Sequence, residues 1–317
     1  MSALDLSGHL GAYLAVRSAL GIDVRAEAVL LTEFIERVNE HQVAHSALSE
    51  AAVDWACTAG ERRGESGQAR RLCVARQFLV FLRAIEPEAT VPARGLLKSG
   101  RRQRPYLFND DEILLLLDAA AALQPRHSLR PLTYRTLIGL LASTGMRVSE
   151  ARFLTVDRIK LDAEVPHLEV IDTKFGKSRL VALHRSTVGS LRAYMRERSN
   201  RCFDGLSDVL LTTESGKPLD YSTLERTFRR MTRRLGMTPR GLERAPCLHS
   251  LRHTFAVRRL VEWQRADVDV HEMLPHLSTY LGHIAPESSY WYLTATPELL
   301  DGAARLFERY SDRGGDR

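Results

Sequence analysis

The sequence predicts a mainly α-helical protein with a small β component, an α+β chain built as an N-terminal helical bundle and a larger C-terminal domain. Three observations carry this. Through the first ninety residues apolar side chains recur every three or four positions, the period of an amphipathic helix. Between 167 and 184 the pattern changes to short β-branched runs flanking a turn. Between these regions, residues 86–105 ("EPEATVPARGLLKSGRRQRP") break all periodicity with prolines, glycines and basic residues, as a linker does.

Taken in order, "VLLTEFIERV" and "ARRLCVARQFLVFLRAI" are the clearest helices of the first region. Leu72, Ala75, Phe78, Leu79 and Leu82 line one face of the second. This sets a helical domain at 1–90, a basic linker at 91–106 and a second domain at 107–296, followed by a segment at 297–317. The second domain opens on "NDDEILLLLDAAAAL", where Asn109 is placed to cap a helix and Glu112 to close a capping box. A further apolar helix over 133–143 ends at Gly145. "HLEVIDT" and "SRLVALH" around "KFGK" read as a β-hairpin, and "DVLLTTESGKP" as another short strand and turn. From Tyr221 onward the pattern is helical again.

With 317 residues the chain is long enough for two separate cores. No apolar run approaches the ~20 residues that span a bilayer. The N-terminus lacks the basic stretch of a secretory signal. A cytoplasmic protein without membrane contact is expected. Cys57, Cys73, Cys202 and Cys247 are scattered and read as reduced packing residues.

The formal net charge of +6 is unevenly spread. Residues 1–50 carry three arginines against seven acids. Residues 61–104 carry eleven Lys and Arg against four acids, and residues 225–265 eleven Arg against three. Two basic zones in otherwise balanced sequence suit a clamp on one long anion such as duplex DNA. Arg226, Arg229, Arg230, Arg233 and Arg234 fall on one helix face, and Arg101, Arg102 and Arg104 lie in the linker. The competing reading of such a face is plain solvation.

Four strings hold residues able to do chemistry. "STGMRVSEARFL" contains Arg147 and Glu150, and "TKFGKSRLVAL" contains Lys174 and Lys177. "HSLRHTFA" contains His249, Arg252 and His253, and "LGHIAPESSYWY" places His283 nine residues before Tyr292. Each has an ordinary alternative: a helix cap, a solvated hairpin tip, a helix terminus, an aromatic packing residue. His249 and His253 at i, i+4 imitate a metal pair but lack the intervening Glu of H-E-x-x-H. Together, however, the residues suit metal-free phosphoryl transfer to a tyrosine. Paired arginines stabilise charge on the phosphoryl oxygens. A histidine helps a hydroxyl of pKa about 10 lose its proton, and a lysine protonates the departing alkoxide.

The order and spacing of these strings resemble the tyrosine recombinase (phage integrase) family over most of the chain. "TGMRVSE" is similar to its first arginine box, "HSLRHTFA" to its H-x-L-R-H box, and "LGH" with the tyrosine nine residues on to its histidine–tyrosine box. The resemblance implies a core-binding bundle followed by a catalytic domain, working without metal or cofactor. It implies that Arg147 and Arg252 bind the scissile phosphate. Lys174 is then the general acid, with Lys177 its alternative. His249 assists proton transfer, His283 hydrogen-bonds the phosphate, and Glu150 supports the site. Tyr292 attacks to give a 3′-phosphotyrosine, while Tyr290 and Trp291 pack its helix. It further implies double-stranded DNA as partner and a tetramer on paired sites, with room for accessory recombination proteins. The stripe Leu299, Ala303, Leu306, Phe307 and Tyr310 either folds back on its own domain or docks on a neighbouring protomer. Ala151, Thr173, Ala182, Ser288 and Ser289 depart from common family residues and touch none of these roles; the histidine–tyrosine box has a flavour of mobile-element integrases. The alternatives are a type IB topoisomerase, a non-catalytic DNA-binding regulator on the same scaffold, and a metallohydrolase using His249, His253, His271, His276 and His283. EDTA resistance separates the last, and recombination of paired sites separates the first.

Overall fold

The computed structural model describes residues 6–58, 64–98, 100, 103–171, 178–201, 207–282, 290–294 and 299. The chain divides into two compact units, residues 1–102 and 103–317.

In the first unit α1 (Leu6–Ala19), α2 (Arg25–Glu40), α3 (Leu48–Thr58) and α4 (Gly64–Arg83) surround one apolar core. The five residues expected on one face of α4, from Leu72 to Leu82, are all buried. Phe34 and Trp55 meet at 5.2 Å between ring centroids, and Tyr13 packs edge-on against Phe78. Arg71 is buried: its guanidinium lies 3.9 Å from the Trp55 ring centroid and donates to Glu33 Oε1 at 2.5 Å. Arg76 Nε donates to the Pro92 carbonyl. Part of the first basic zone therefore serves its own unit, because an arginine stem on an apolar helix face packs while its head finds a counter-charge.

The second unit starts inside the segment expected as linker. Tyr106 and Phe108 are buried in its core, their rings 4.9 Å apart, and Phe228 meets Phe108 edge-on. Asn109 and Glu112 form the capping box of α5 (Asp110–Ala121). Helix α6 (Arg130–Thr144) ends at Gly145, whose φ of +64° is the left-handed conformation that stops a helix. A Cβ there would run into the Phe255 ring, so the position also demands the absence of a side chain. The short α7 (Val148–Arg152) follows at once. Strands β1 (Ile159–Lys160), β2 (His167–Val170) and β3 (Arg179–Ala182) form an antiparallel sheet in sequence order, with Val170 opposite Arg179 at the hairpin end. The hairpin tip with Lys174 and Lys177 lies outside the described residues. Helices α8 (Arg185–Arg201), α9 (Tyr221–Arg234), α10 (Leu248–Arg265) and α11 (Val270–Leu281) complete the unit, with a 3-10 turn at Trp291–Thr294.

Two expectations are corrected. "DVLLTTESGKP" is no strand of the sheet but makes isolated bridges, Thr155 to Val209 and Thr212 to Pro218. The cause is enclosure: Leu210 and Leu211 are both fully buried, so the segment runs inside the core instead of alternating across a sheet. Tyr290 does not pack beside Tyr292. It is half exposed, while Tyr292 is buried. Tyr290 precedes the 3-10 turn, which begins at Trp291 and carries the Tyr292 ring inward. Among the cysteines, Cys57, Cys73 and Cys247 are free thiols and Cys73 is exposed; Cys202 lies outside the described residues.

Candidate active site

Helices α6 and α11 both end on a left-handed glycine, Gly145 and Gly282. The last carbonyls of a helix lack intrahelical donors and form the negative end of its dipole. Here arginines fill that need. Arg252 Nη1 donates to Gly145 O at 2.8 Å and Nη2 to Leu281 O at 2.6 Å, so one buried side chain ties the two helix ends together. Arg147 Nη2 donates to Gly282 O at 2.5 Å. A Cβ on Gly282 would sit 3.0 Å from Arg179 Nη1 and 3.4 Å from Arg147 Nη1, so this glycine lets the guanidinium groups approach the helix end.

Glu150, nearly buried, balances this charge. Its Oε2 accepts from the Arg147 backbone N–H at 2.8 Å, closing the first turn of α7, and its Oε1 accepts from Arg147 Nη1 at 2.8 Å. Arg179 grips it from β3 with two bonds, 3.0 and 2.6 Å. Burial alone would raise the Glu150 carboxyl pKa. The hydrogen bonds and charge of Arg179, with those of Arg147, outweigh burial and hold it below the ordinary carboxylate range.

Arg179 is the residue that sequence reasoning passed over. Its signal is the strand alternation: Arg179 shares the inward face with the buried Val181, whereas Leu180 points out. An arginine in phase with a buried valine needs a carboxylate.

Helix α10 brings His249, Arg252 and His253 to the same end of the helix. The two imidazoles meet edge to face, 4.5 Å between centroids. Burial drives the Arg252 pKa down to about 10, with the Arg147 charge adding to the shift, so it stays protonated at neutral pH. Desolvation of the His249 ring, then the charges of Arg252 and Arg147, push its pKa down to about 4. His249 is nonetheless an exposed residue, so the charges of Arg252 and Arg147 are the firmer cause of the downward direction. The neutral imidazole is therefore the resting form. The Tyr292 hydroxyl is buried and lies 3.0 Å from His253 Nδ1. Tyr292 is also near enough that its phenolate form would raise the Arg252 pKa.

The structure thus brings Arg147, Glu150, Arg252 and the histidine pair together with Tyr292. His283, like Lys174, lies outside the described residues. The five arginines of α9 are all exposed, opposite the buried Leu224, Phe228 and Met231. Arg229 is paired with Glu225; among the described residues no acid pairs with Arg226, Arg230 or Arg234. Arg104 is exposed, and Arg101 and Arg102 lie outside the described residues. Among the described residues no group of three or more His, Cys, Asp or Glu is placed to hold a metal ion, and no helix is long and apolar enough to cross a membrane.

Two arginines held by backbone carbonyls at helix ends, with a sheltered phenol close enough to act on Arg252, are the charges and the nucleophile that attack on an anion would need. Comparison with known proteins defines the class. The model of the phage integrase family matches residues 107–294. The integrase/recombinase y4rB of Sinorhizobium fredii is 38% identical over 307 residues, 95% of this chain and 96% of that protein. Tyrosine recombinase XerD of Corynebacterium glutamicum is 30% identical over 247 residues, 74% and 75% of the two chains. In fold, the Tn1549 transposon integrase in complex with transposon right end DNA matches with a TM-score of 0.66 at 15% identity, over 96% of this chain and 99% of that one. A lambda integrase tetramer bound to a Holliday junction matches with 0.60 at 17% identity, over 89% and 78%. The chain belongs to the phage integrase family and is a tyrosine-type site-specific DNA recombinase.

Proposed function

We propose that this enzyme cleaves and rejoins duplex DNA through a 3′-phosphotyrosine on Tyr292, in the service of moving a mobile DNA element. The carrying observation is the placement of the buried Tyr292 hydroxyl beside the α10 end that also presents Arg252, itself fixed between two helix termini. Arg147 and Arg252 bind the scissile phosphate and neutralise charge as the phosphorane forms. Glu150 and Arg179 hold Arg147 in place. The family pattern gives Lys174 the proton for the departing 5′ oxygen, His249 a part in proton transfer, and His283 a hydrogen bond to the phosphate.

The exposed arginines of α9 and the basic linker, Arg101, Arg102 and Arg104, hold the DNA backbone. The helical unit 1–90 grips the same duplex as a core-binding domain. Relatives in fold assembled as dimers and tetramers on DNA support a tetramer on paired sites, in which residues 297–317 dock on a neighbouring protomer. Accessory recombination proteins and a nucleoid location fit the same role.

The test uses nicked duplexes that the wild-type enzyme captures covalently from a random-sequence pool. On denaturing gels Tyr292→Phe loses the covalent band and retains binding, whereas Tyr290→Phe keeps both. Loss of the band from Tyr290→Phe with retention in Tyr292→Phe overturns the assignment.

A further inference from the structure

Phosphoryl transfer to tyrosine needs an acceptor for the phenolic proton, and the family pattern points to His249. The hydrogen bond seen on Tyr292 Oη runs elsewhere, to Nδ1 of His253 at 3.0 Å, with ring centroids 5.6 Å apart. We propose that His253 is the catalytic residue that takes the proton from Tyr292, the neighbouring His249 serving to hold its ring. This rests on Tyr292 being the nucleophile.

The local geometry explains why His253 is suited. It follows Arg252 directly on α10, so the residue fixing the phosphate and the residue touching the nucleophile share one rigid turn. Arg252 is clamped to Gly145 and Leu281, which holds that turn in place. His253 is only partly buried, and the His249 ring stands edge to face against it at 4.5 Å, limiting its rotation. A neutral imidazole protonated on Nε2 offers Nδ1 as an acceptor. A base 3.0 Å from the hydroxyl oxygen is within transfer distance. The charges of Arg252 and Arg147 act on His249 and depress its basicity, beside the desolvation of its ring.

The step balances as follows. Tyr292 Oη forms a bond to phosphorus while its proton passes to His253 Nδ1. The bond from phosphorus to the 5′ oxygen breaks, and the electron pair leaves on that oxygen, which takes a proton from the general acid. His253 is then an imidazolium. In the reverse step a 5′ hydroxyl attacks phosphorus and returns its proton to the general acid, the bond from phosphorus to Tyr292 Oη breaks, and Tyr292 recovers its proton from His253.

The test is His253→Asn, whose amide reaches the place of Nδ1 and can still hydrogen-bond Tyr292 but is not basic. Covalent capture of the selected nicked duplex is expected to slow by about 10²-fold or more, the range of general-base catalysis. Replacing Tyr292 by 3,5-difluorotyrosine makes the phenol more acidic and should shrink that deficit, because less base is needed. A merely structural role for His253 predicts the same deficit with either phenol, and that result overturns the proposal. So does a phenol-dependent deficit in His249→Asn with none in His253→Asn. Should His253→Asn fail to fold by circular dichroism, nitrogen-15 spectra of the histidine-labelled wild-type protein decide. An unprotonated Nδ1 on His253 at neutral pH supports the assignment, and a protonated Nδ1 donating to Tyr292 removes it. Absence of any wild-type covalent band would instead strike the nucleophile assignment itself.

Discussion

Glu150 is a single carboxylate on which two arginines depend. Arg179 has its guanidinium nearly buried, and among the described residues its counter-charge is Glu150, through two hydrogen bonds. Removing one partner of a buried ion pair leaves the other charge uncompensated, at a cost of about 3–5 kcal/mol. Glu150→Gln is therefore expected to lose about 3 kcal/mol at pH 7, and strand transfer with it, because Arg147 loses its side-chain partner. The pH dependence follows from the sign of the shift. A carboxyl with a depressed folded pKa stabilises in full above its unfolded value of about 4.3 and loses that stabilisation as pH falls through the lower folded value. Thermal melts from pH 7 to pH 3 should show this acid decline in the wild type and a shallower one in Glu150→Gln. Equal slopes would mean that Glu150 contributes no such linkage. Arg179 itself was legible only in part: strand alternation marks it as inward-facing, but which carboxylate it meets depends on where α7 lies against the sheet.

At the scale of an element, α9 has the sharpest division between faces among the described helices. Leu224, Thr227, Phe228, Met231 and Thr232 are buried, while the arginines at 226, 229, 230, 233 and 234 are exposed. Asp220 caps the helix by accepting from Thr223 N at 2.7 Å, so this register is set at its first turn. A face of like charges repels itself and gains from a polyanion laid along it. Each phosphate neutralised contributes about −0.9 to the slope of log affinity against log salt on duplex DNA. Replacing Arg226, Arg230 and Arg234 together by Gln should make that slope less steep by about 2 to 3. Fluorescence anisotropy between low and moderate salt measures it, and an unchanged slope returns the face to simple solvation. The helix and its basic face were legible in the sequence, because arginine spacing is a local pattern, whereas the Asp220 cap and the buried stripe were seen only in the structure.

At the scale of the whole molecule, the two units have separate cores. One cluster, from Leu6 to Ala89, belongs to the first, and the clusters around Leu137 and Leu260 to the second. A unit with its own core is expected to fold alone. Residues 103–317 expressed by themselves should melt cooperatively by circular dichroism. Their DNA affinity should fall by about 10²-fold or more, because two linked binding surfaces gain from effective concentration and one does not. Native affinity in the shortened protein would show that the first unit does not grip DNA. A non-cooperative melt would show that the second core is incomplete alone.

What the sequence determined by itself is what depends on neighbours along the chain. The capping box of Asn109 and Glu112, the stop at Gly145, the hairpin flanking residues 174–177 and the helical period of α4 and α9 are all set within a few residues, where chain geometry leaves little choice. The spacing of the arginine, histidine and tyrosine boxes carried the family for the same reason, since order along the chain is all that a motif records. Only the tertiary structure decided the rest. Gly145 and Leu281, 136 residues apart in the chain, are joined by one arginine. Arg71, read as part of a surface zone, is buried against Trp55. The paired leucines at 210 and 211 are enclosed instead of alternating across a sheet. Of two tyrosines two residues apart, it is Tyr292 that faces inward, onto His253 and not onto solvent. Each of these is settled by burial and by where a distant partner stands. Desolvation and long-range pairing act between residues that the linear order does not bring together.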